Sequence, residues 1–586
     1  MNRYSVIFES ENRDIRTCAG STILEAAEEA GIILNSICGG EGTCGKCTVK
    51  ILPDDIEVLA CEYSIHKDII VVSPAQLRYF EDRKIENHPD ITVDIEPLYS
   101  KLFLSGQQVT TETIEASLRD QFPNCNIEIA APVPNNLTDA TIIYRMSLDG
   151  LNAEVVSIEK GDTAGQFYGV AVDIGSTTVV AKLFDLNDGS CIASAAQANP
   201  QISRGDDVIG RINYASNEKG LADLNNVIVS CINSLIDEIC NKSEIDSKAI
   251  YEVCLAGNTT MSHIFLRYPV KQLGQAPYKA FSVKAADITP SQSGLKINPC
   301  GNVHAIENIA GFVGSDTTAA SLAVGMDVTE KTSLLIDIGT NGELVLASGG
   351  RLLSASCAAG PALEGARISQ GSRAVEGAIE GVLIADQDID LEVIGGGIAH
   401  SICGSGLIDA VAVLLDLGII DQTGRFVDKT DLSDKISDKI IERLTTVNSQ
   451  PAFIFSNNDS NKYDDVFLTQ KDVREAQLAK AATRAGTIIL QEKLGVEDCQ
   501  IEEVLLAGAF GNYINRRSAL RIGLLPPVTE KKVHFVGNAA CTGAQMILLD
   551  RKYRIEAAKL SKKIEYIEIA NETSFQMIFA DALLFQ

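Results

Sequence analysis

Four cysteines near the start of the chain have the spacing of a metal-binding loop. Cys38, Cys44 and Cys47 form C-x5-C-x2-C in "CGGEGTCGKC", and Cys61 follows in "VLACEYS". Four thiolates with short inner spacings suit either a [2Fe–2S] cluster or a four-cysteine zinc site. Zinc sites usually pair two C-x2-4-C units, whereas one compact loop supplies three cysteines here. The spacing therefore favours the cluster, with zinc as the alternative.

The same loop comes close to a phosphate-binding P-loop, because Gly40, Gly45 and Lys46 fit G-x4-G-K. A P-loop ends on Lys-Ser/Thr and runs into a helix, so that backbone amides face the phosphates. Here Cys47 follows Lys46, and "CTVKIL" is typical of a strand. We therefore expect no nucleotide on this loop. The cysteine spacing resembles that of adrenodoxin-like and putidaredoxin-like ferredoxins, although the 13 residues between Cys47 and Cys61 are fewer than is usual there.

Short periodic segments around the loop predict the elements that position it. "RYSVIFES" alternates as a half-buried strand does, and "STILEAAEEAGI" predicts a helix in which Thr22 and Glu25 have capping-box spacing. "CTVKIL" and "DIIVVSP" are again strand-like. We expect a small β-rich domain over residues 1–75, which the ferredoxin resemblance implies to be a β-grasp fold.

A second chemical pattern occurs twice in the rest of the chain. "VAVDIGSTTVV" and "LLIDIGTNGELV" each place an apolar strand before Asp-Ile-Gly and a hydroxyl, at Asp173 and at Asp337. "VCLAGNTT" and "VLLAGAFGN" form a second pair, each opening onto a glycine, Gly257 or Gly508. Two halves in the same order predict a duplicated α/β domain with a cleft between them.

The residue types at these turns suit a nucleotide. Glycine hairpins let backbone N–H groups approach phosphates, and adjacent hydroxyls add donors. Asp173 and Asp337 could hold hydrated Mg²⁺ against the phosphates, or orient the attacking water. One copy would be an ordinary turn sequence, but two copies with matched flanks favour a nucleotide site.

This pattern resembles the superfamily of acetate kinase, sugar kinases, heat-shock chaperone ATPases and actin. The resemblance implies phosphate motifs at 173–178 and 337–341 and an adenosine motif at 507–511. The implied nucleotide-binding residues are Gly175, Ser176, Thr177, Thr178, Gly339, Thr340, Asn341, Gly508, Ala509, Phe510 and Gly511. We expect loops 358–366 and 402–410 to line the same cleft, and residues from about 420 to 500 to form a helix-rich insertion.

With its cysteine loop, the chain resembles the reductive activators of corrinoid enzymes in runs such as "NPQISRGDDVIGRI", "AGNTTMSHIFL", "ICGSGLIDA" and "AGAFGNYI". The resemblance implies ATP-dependent transfer of one electron from the [2Fe–2S] cluster to a Co(II) corrinoid protein of a methyltransferase system, which restores Co(I). An electron donor protein or reductant is a further implied partner, and the chain could act as a homodimer. A small-molecule kinase with a redox-sensing ferredoxin domain is the alternative, and a chaperone-like binding module a third. Only Cys541 lies beyond Cys499, which excludes the branch with C-terminal cluster motifs.

Composition and charge complete the sequence-based expectations. We predict a multidomain α/β protein: a ferredoxin-like domain over 1–75, a linker over 76–100, a small α/β middle domain over 101–165, and an actin-like ATPase domain over 166–586 with halves at about 166–330 and 331–586. The linker is charged and irregular, and this predicts a loose tether. A net charge of −28 argues against nucleic acid or anionic membranes as partners. No signal peptide or long apolar run is evident, so we expect a cytoplasmic protein.

Overall fold

The computed structural model describes residues 3–9, 13–30, 32, 34, 47–53, 56–72, 93–339, 341–365, 367–385, 388–432, 436–457, 465–508 and 514–585. Several predicted positions lie outside these residues: Cys38, Gly40, Cys44, Gly45, Lys46, Thr340, Ala509, Phe510 and Gly511. The first part of the predicted linker, residues 76–92, lies outside them too.

The N-terminal residues form a five-stranded sheet with strand order β2-β1-β5-β3-β4. Its elements are β1 (Arg3–Phe8), β2 (Arg13–Cys18), α1 (Ile23–Glu29), β3 (Thr48–Leu52), β4 (Ile56–Leu59) and β5 (Ile69–Val72). Only β1 and β5 pair in parallel, and every other neighbouring pair is antiparallel. The predicted capping box is present: Thr22 N donates to Glu25 Oε2 at 2.8 Å, and Glu25 N to Thr22 Oγ1 at 3.1 Å. Val6, Phe8 and Ile51 lie in an apolar core of this domain's own.

A separate four-stranded sheet follows, with strand order β6-β8-β9-β7. It consists of β6 (Tyr99–Gln108), α2 (Thr111–Gln121), β7 (Asn126–Ile129), β8 (Thr138–Met146) and β9 (Asn152–Lys160). Ile114 and Leu118 of α2 are fully buried in the core of this unit. The strand β6 begins at Tyr99, which the sequence analysis placed in the linker.

The remaining residues form two halves, each built on a six-stranded sheet. The first half contains β10 (Tyr168–Ile174), β11 (Thr178–Asp185), β12 (Cys191–Ala198), α3 (Val208–Tyr214), α4 (Glu218–Ser243), β13 (Ile250–Gly257), α5 (Thr259–Phe265), β14 (Ala286–Ile288), α6 (Pro290–Ser293), β15 (Asn302–Ala305) and α7 (Ser315–Ala323). The second contains β16 (Ser333–Ile338), β17 (Gly342–Ser348), β18 (Arg351–Cys357), β19 (Ala378–Ala385), β20 (Asp388–Val393), β21 (Ser401–Ile402), α8 (Gly404–Asp416), α9 (Asp438–Glu442), β22 (Leu444–Val447), β23 (Gln450–Ser456), β24 (Val466–Thr469), α10 (Gln470–Leu494), β25 (Glu503–Ala507), α11 (Arg516–Arg521), β26 (Val533–Gly537), α12 (Ala539–Leu549), α13 (Lys552–Lys563), β27 (Ile564–Tyr566) and α14 (Phe575–Ala582).

The two large sheets repeat one topology. The order β12-β11-β10-β13-β15 of the first half corresponds to β18-β17-β16-β25-β26 of the second. In each, three antiparallel strands are followed by two strands that run parallel to the first. The predicted duplicated α/β core is confirmed. The carboxyl ends of β10, β13, β16 and β25 carry the motifs that the sequence analysis singled out.

The insertion in the second half differs from its prediction. Residues 420–500 were expected to be helix-rich, and α10 is indeed a long helix. The described residues before α10 nevertheless include a three-stranded antiparallel sheet, in the order β22-β23-β24. Short apolar runs such as "AFIF" form these strands because their side chains, Phe453 among them, pack into the second-half core.

The helices α7 and α12 join the two halves through small residues. A Cβ atom on Gly543 of α12 would lie 2.0 Å from the carbonyl oxygen of Ala319 in α7. The two backbones are therefore in direct contact at this point, and any larger residue at Gly543 would separate them. Among the described helices, none combines the length and the apolar character that crossing a membrane requires.

Candidate functional site

The two predicted aspartates occupy equivalent positions at the ends of the strands β10 and β16. Asp173 is half-buried and accepts a hydrogen bond from Asn538 Nδ2 at 2.8 Å. Asn538 belongs to the second half, where its Oδ1 also accepts from Cys541 N at 2.8 Å and caps α12. A residue of one half thus holds the aspartate of the other. This contact places Asp173 in the cleft between the halves.

Burial raises the pKa of both aspartates to about 7. The Asp316 carboxylate raises the pKa of each further, while the hydrogen bond from Asn538 lowers that of Asp173. Glu343 lies directly opposite Asp337 in β17, and burial together with the neighbouring carboxylates raises its pKa well above the usual range. Buried carboxylates that lie close together repel one another, so they are stabilised either by protonation or by a bound cation. This cleft therefore has the electrostatics of a divalent-cation site.

The donor set fits Mg²⁺ held together with phosphate oxygens. Within the described ranges, no three His, Cys, Asp or Glu side chains lie close enough to hold a metal ion by themselves. Mg²⁺ typically takes one or two carboxylates, several waters and the phosphates of its substrate. Asp173 and Asp337 would supply the carboxylates, and the phosphate-binding hairpins would bring the nucleotide. The residues present therefore fit Mg²⁺ that arrives with ATP.

Asp316 is a functional candidate that the sequence analysis missed. It lies in the first turn of α7, after Gly314, and burial raises the pKa of its carboxyl to about 6. A Cβ atom on Gly314 would lie 2.4 Å from Asn258 Cα, so the chain enters α7 in close contact with the end of β13. The run "GFVGSDTTAA", with a glycine at the start of a helix and an acid in its first turn, is the signal that could have found it.

The first predicted phosphate hairpin is held from three sides. Asn199 Nδ2 donates to Gly175 O at 2.8 Å, and Asn258 Nδ2 donates to Ser176 Oγ at 2.9 Å. The guanidinium of Arg211 is fully buried and donates to Ser176 O. Burial lowers the pKa of Arg211 to about 10, so the guanidinium stays charged at neutral pH. Asn199 and Arg211 lie in "NPQISRGDDVIGRI", a run that the sequence analysis noted without assigning roles.

The hairpin also contacts the second half through Thr177. Thr177 Oγ1 donates to Glu364 Oε2 at 2.8 Å, and Glu364 belongs to loop 358–366. This loop therefore lies at the cleft, as expected. In the second predicted loop, 402–410, every residue is buried. A Cβ atom on Gly406 would lie 2.2 Å from Ile379 O, which shows that α8 packs directly against β19. A place for this loop at the cleft stays a prediction.

Close backbone packing marks the second predicted phosphate motif. Gly508 has φ of +96°, and a Cβ atom there would lie 2.7 Å from Asp337 Oδ1. The predicted adenosine and phosphate-2 motifs are thus adjacent, and no larger residue fits between them. Gly339 and Asn341 are half-buried beside Thr340, which lies outside the described residues. Thr178 begins β11, after the turn at Gly175.

In the N-terminal domain, the hairpin of β3 and β4 brings two of the predicted cluster cysteines together. Cys47 precedes β3, Cys61 follows β4, and their Sγ atoms lie 3.3 Å apart. A disulfide requires about 2.0 Å, whereas two thiolates on one tetrahedral metal ion lie ~3.8 Å apart for metal–sulfur bonds of about 2.3 Å. The pair fits ligation of a shared iron. Cys18 ends β2, at the other end of the sheet order.

Comparisons with known proteins agree with this organisation. Residues 331–586 match the family described as the C-terminal domain of RACo, the ASKHA domain; residues 168–329 match the RACo middle region, and residues 7–65 a 2Fe-2S iron-sulfur cluster binding domain. The chain is 33% identical to the corrinoid activation enzyme RamQ of Eubacterium limosum, over 97% of each chain. The chain belongs to the family of corrinoid reductive activators.

Further relatives extend this family assignment. A [Co(II) methylated amine-specific corrinoid protein] reductase of Methanosarcina barkeri is 25% identical and covers 70% of this chain and 76% of its own. The solved structure of a reductive activator for a corrinoid, iron-sulfur protein matches with a TM-score of 0.75 and 31% identity, over 99% of this chain and 98% of that one. The full length of this activator, including its N-terminal iron–sulfur domain, therefore has a structural counterpart.

Replacing Cys61 of this activator with alanine should abolish assembly of a stable [2Fe–2S] cluster, because one iron loses a thiolate ligand. Cys18→Ala is the matched control and should leave the cluster intact. The measurement is the visible spectrum with iron and sulfide content after anaerobic purification, where about two irons and two sulfides per chain are expected in the parent protein. Colourless protein with stoichiometric zinc would contradict the cluster assignment.

Asn538→Ala should lower the rate of ATP hydrolysis by about tenfold, since Asp173 loses the hydrogen bond that favours its ionised form. The variant also loses a helix cap, which costs about 1 kcal/mol of stability. Asn515→Ala is a matched control, because Asn515 caps α11 in the same half and accepts from Arg517 N and Ser518 N. Equal loss of activity in both variants would show that capping alone explains the effect.

Proposed function

We propose that this protein reduces a Co(II) corrinoid protein to Co(I), with one low-potential electron from its [2Fe–2S] domain and with ATP bound in the cleft between the duplicated halves. The observation that carries the proposal is the combination of both sites in one chain, matched over 97% of its length by a corrinoid activation enzyme. A kinase interpretation is not favoured, because the relatives that span the chain are corrinoid activators.

ATP has an energetic role in such a reaction. Plant-type [2Fe–2S] centres have reduction potentials of about −400 mV. The Co(II)/Co(I) couple of the corrinoid is expected to have a still lower potential. For one electron, each ~59 mV uphill costs a factor of ten. A deficit of ~100–200 mV therefore corresponds to about 2–5 kcal/mol. If bound ATP changes the affinity for the corrinoid partner, the coupling free energy between the two sites can be of that order.

Three acidic residues have distinct roles in the cleft. Asp173 and Asp337 would hold the hydrated cation, and Asp316 at the start of α7 would orient the attacking water. Mg²⁺, when bound, neutralises charge on the phosphates and the three carboxylates. The hairpin from Gly175 to Thr177 offers backbone amides to the phosphates, and Asn199, Asn258 and Arg211 keep it in place. The buried Arg211 places a positive charge behind the hairpin and so favours an anionic ligand.

The helix α12 provides a route from this cleft to the linker. Its cap, Asn538, contacts Asp173, and its last residue, Leu549, accepts from Glu96 N at 2.9 Å. Arg551 pairs with Glu96 at 3.1 Å, and Lys552 with Asp94 at 3.0 Å. The linker therefore ends in a docked segment, residues 93–98, instead of being loose throughout. The helix α12 is about 16 Å long. We infer that α12 shifts when ATP binds and thereby moves residues 93–98, to which the iron–sulfur domain is anchored.

The test is direct reduction of cobalt. Purified protein, ATP, a chemical reductant and a Co(II) corrinoid protein are mixed without oxygen, and Co(I) absorbance is followed. Co(I) should appear only with ATP present, and not with ADP. ATP consumption with a phosphorylated small molecule as product, and no Co(I), would contradict the proposal.

We also propose a cytoplasmic location, since none of the described cysteines forms a disulfide. That a separate protein or reductant supplies electrons to the cluster stays a prediction, as does the formation of a homodimer. Lysate fractionation would test the location, and light scattering would test the oligomeric state.

A further inference from the structure

One surface segment of the first half has a charge opposite to that of the protein. Residues 267–284, "RYPVKQLGQAPYKAFSVK", contain four basic and no acidic residues in a chain of net charge −28. The four cations are Arg267, Lys271, Lys279 and Lys284, which together we call the basic patch. All four are exposed. Across the part of the chain that the structure describes, none of them takes part in an ion pair. The patch is available to an acidic surface.

Exposed apolar side chains lie in the same segment as the basic patch. Phe281 is 61% exposed and Val283 is 42% exposed, and both lie between Lys279 and Lys284. A single exposed apolar residue needs no explanation. Here, Phe281 and Val283 are flanked by two lysines that form no ion pair among the described residues. This composition is typical of an interface with an apolar core and a charged rim.

The loop that carries these side chains is held in place from below. His263 Nε2 accepts hydrogen bonds from Phe281 N at 3.1 Å and from Ser282 N at 3.4 Å. Burial lowers the pKa of His263 to about 4, so the imidazole stays neutral and can accept. Asn308 N donates to Val283 O at 3.1 Å, and the rings of Tyr268 and Phe281 are 5.2 Å apart. Docking on this loop would therefore cost little ordering of its backbone.

We propose that the basic patch docks the iron–sulfur domain of the same chain. Residues 1–72 contain twelve acidic and six basic residues, a difference of −6, and four cysteine thiolates would make the domain more anionic. Its edge strand β4 exposes 41% of Ile56 next to an exposed Glu57. An apolar side chain beside a carboxylate complements Phe281 beside Lys279.

Geometry of the chain is compatible with this docking. Twenty residues, 73–92, separate β5 from the docked segment 93–98, and when extended they span up to about 70 Å. A flexible tether of this length would give an effective concentration in the millimolar range, so a weak contact would be enough. Since Cys61 follows β4, docking through this strand would place the cluster side of the domain next to the first half. The proposal requires the iron–sulfur domain but not ATP-driven reduction, so the two can fail separately.

The test is carbodiimide cross-linking of lysines to carboxylates in the full-length holoprotein at low ionic strength. Peptide mapping should show Lys279 or Lys284 joined to carboxylates of residues 1–72, in a species with the mass of one chain. Phe281→Ala and Lys271→Glu should each lower the yield by about tenfold, as should high salt. Neither substitution removes Lys279 or Lys284, the two lysines whose cross-links are measured.

Matched controls are Val328→Ala and Lys531→Glu, which change exposed residues outside the patch and should leave the yield unchanged. Cross-links found only in a species with the mass of two chains would assign the patch to a second copy. Cross-links formed only to an added corrinoid protein would assign it to that partner. Either result overturns docking within the chain, as would equal yields in the patch variants and the controls.

Discussion

Replacing Asp337 with asparagine should lower the rate of ATP hydrolysis by about 10²- to 10³-fold and leave the visible spectrum of the cluster unchanged. Asp337 ends β16 beside Gly508, and it lies in one electrostatic group with Asp173 and Asp316. Asparagine keeps the shape of the side chain but cannot supply the negative charge that attracts Mg²⁺. The measurements are steady-state phosphate release and the absorbance of the same sample.

Loss of activity in this variant would not reflect unfolding. Burial and neighbouring carboxylates raise the pKa of Asp337 to about 7, so its ionised form is unfavourable in the absence of a cation. Removing that charge should hold or raise the thermal midpoint at pH 8 without nucleotide. Asp173→Asn should behave alike. Lys46→Ala is the control for the rival P-loop and should leave ATP affinity unchanged. If Lys46→Ala lost ATP binding with an intact cluster while Asp337→Asn kept full activity, the nucleotide would belong on the cysteine loop.

The hairpins at Asp173 and Asp337 were predictable because their constraints are local. A buried strand, a turn residue with little steric bulk and a hydroxyl must follow one another for the backbone to approach phosphate. The duplication then gave the topology, since equivalent motifs in the same order imply equivalent sheets. The proximity of Cys47 and Cys61 could likewise be predicted from the sequence, because β3 and β4 are short strands that follow one another and form a hairpin.

The residues that hold these motifs could not be found in this way. Asn538 is 365 residues from Asp173, and its sequence context is that of an ordinary helix cap. Arg211 looks like a surface residue of an amphipathic helix until the fold buries it against Ser176. Asp316 becomes a candidate only when α7 brings it to the two strand ends. These contacts depend on how the two halves pack, which no local pattern specifies.

The linker shows the same limit. Its charged composition predicts a tether, and composition does describe how such a segment behaves by itself. Residues 93–98 dock because Leu549, Arg551 and Lys552 at the junction of α12 and α13 offer them a carbonyl and two cations. Those partners lie more than 450 residues along the chain. An experiment that separates the domains must therefore cut before residue 93, and not within the docked segment.

A fragment of residues 93–586 should hydrolyse ATP at close to the parent rate and still bind the corrinoid partner, yet yield no Co(I). The fragment keeps both halves of the ATPase core, the middle sheet and the contacts of Asp94 and Glu96, and it lacks only the iron–sulfur domain and the tether. Residues 1–72 have an apolar core of their own, so the two pieces can be prepared separately. The measurements are phosphate release, partner binding and Co(I) absorbance with the same reductant.

Adding residues 1–72 back in trans should restore only slow reduction, because the tether's millimolar effective concentration is lost. With the separate domain at micromolar concentration, the rate of Co(I) formation should be about 10²- to 10³-fold below that of the parent protein. This rate should rise in proportion to the concentration of the domain. A Cys61→Ala domain added in the same way should restore nothing, which separates electron delivery from mere binding. If the fragment 93–586 alone produced Co(I) at the parent rate, the electron would not pass through the cluster. The iron–sulfur domain would then have to act on the ATPase core by some means other than electron transfer.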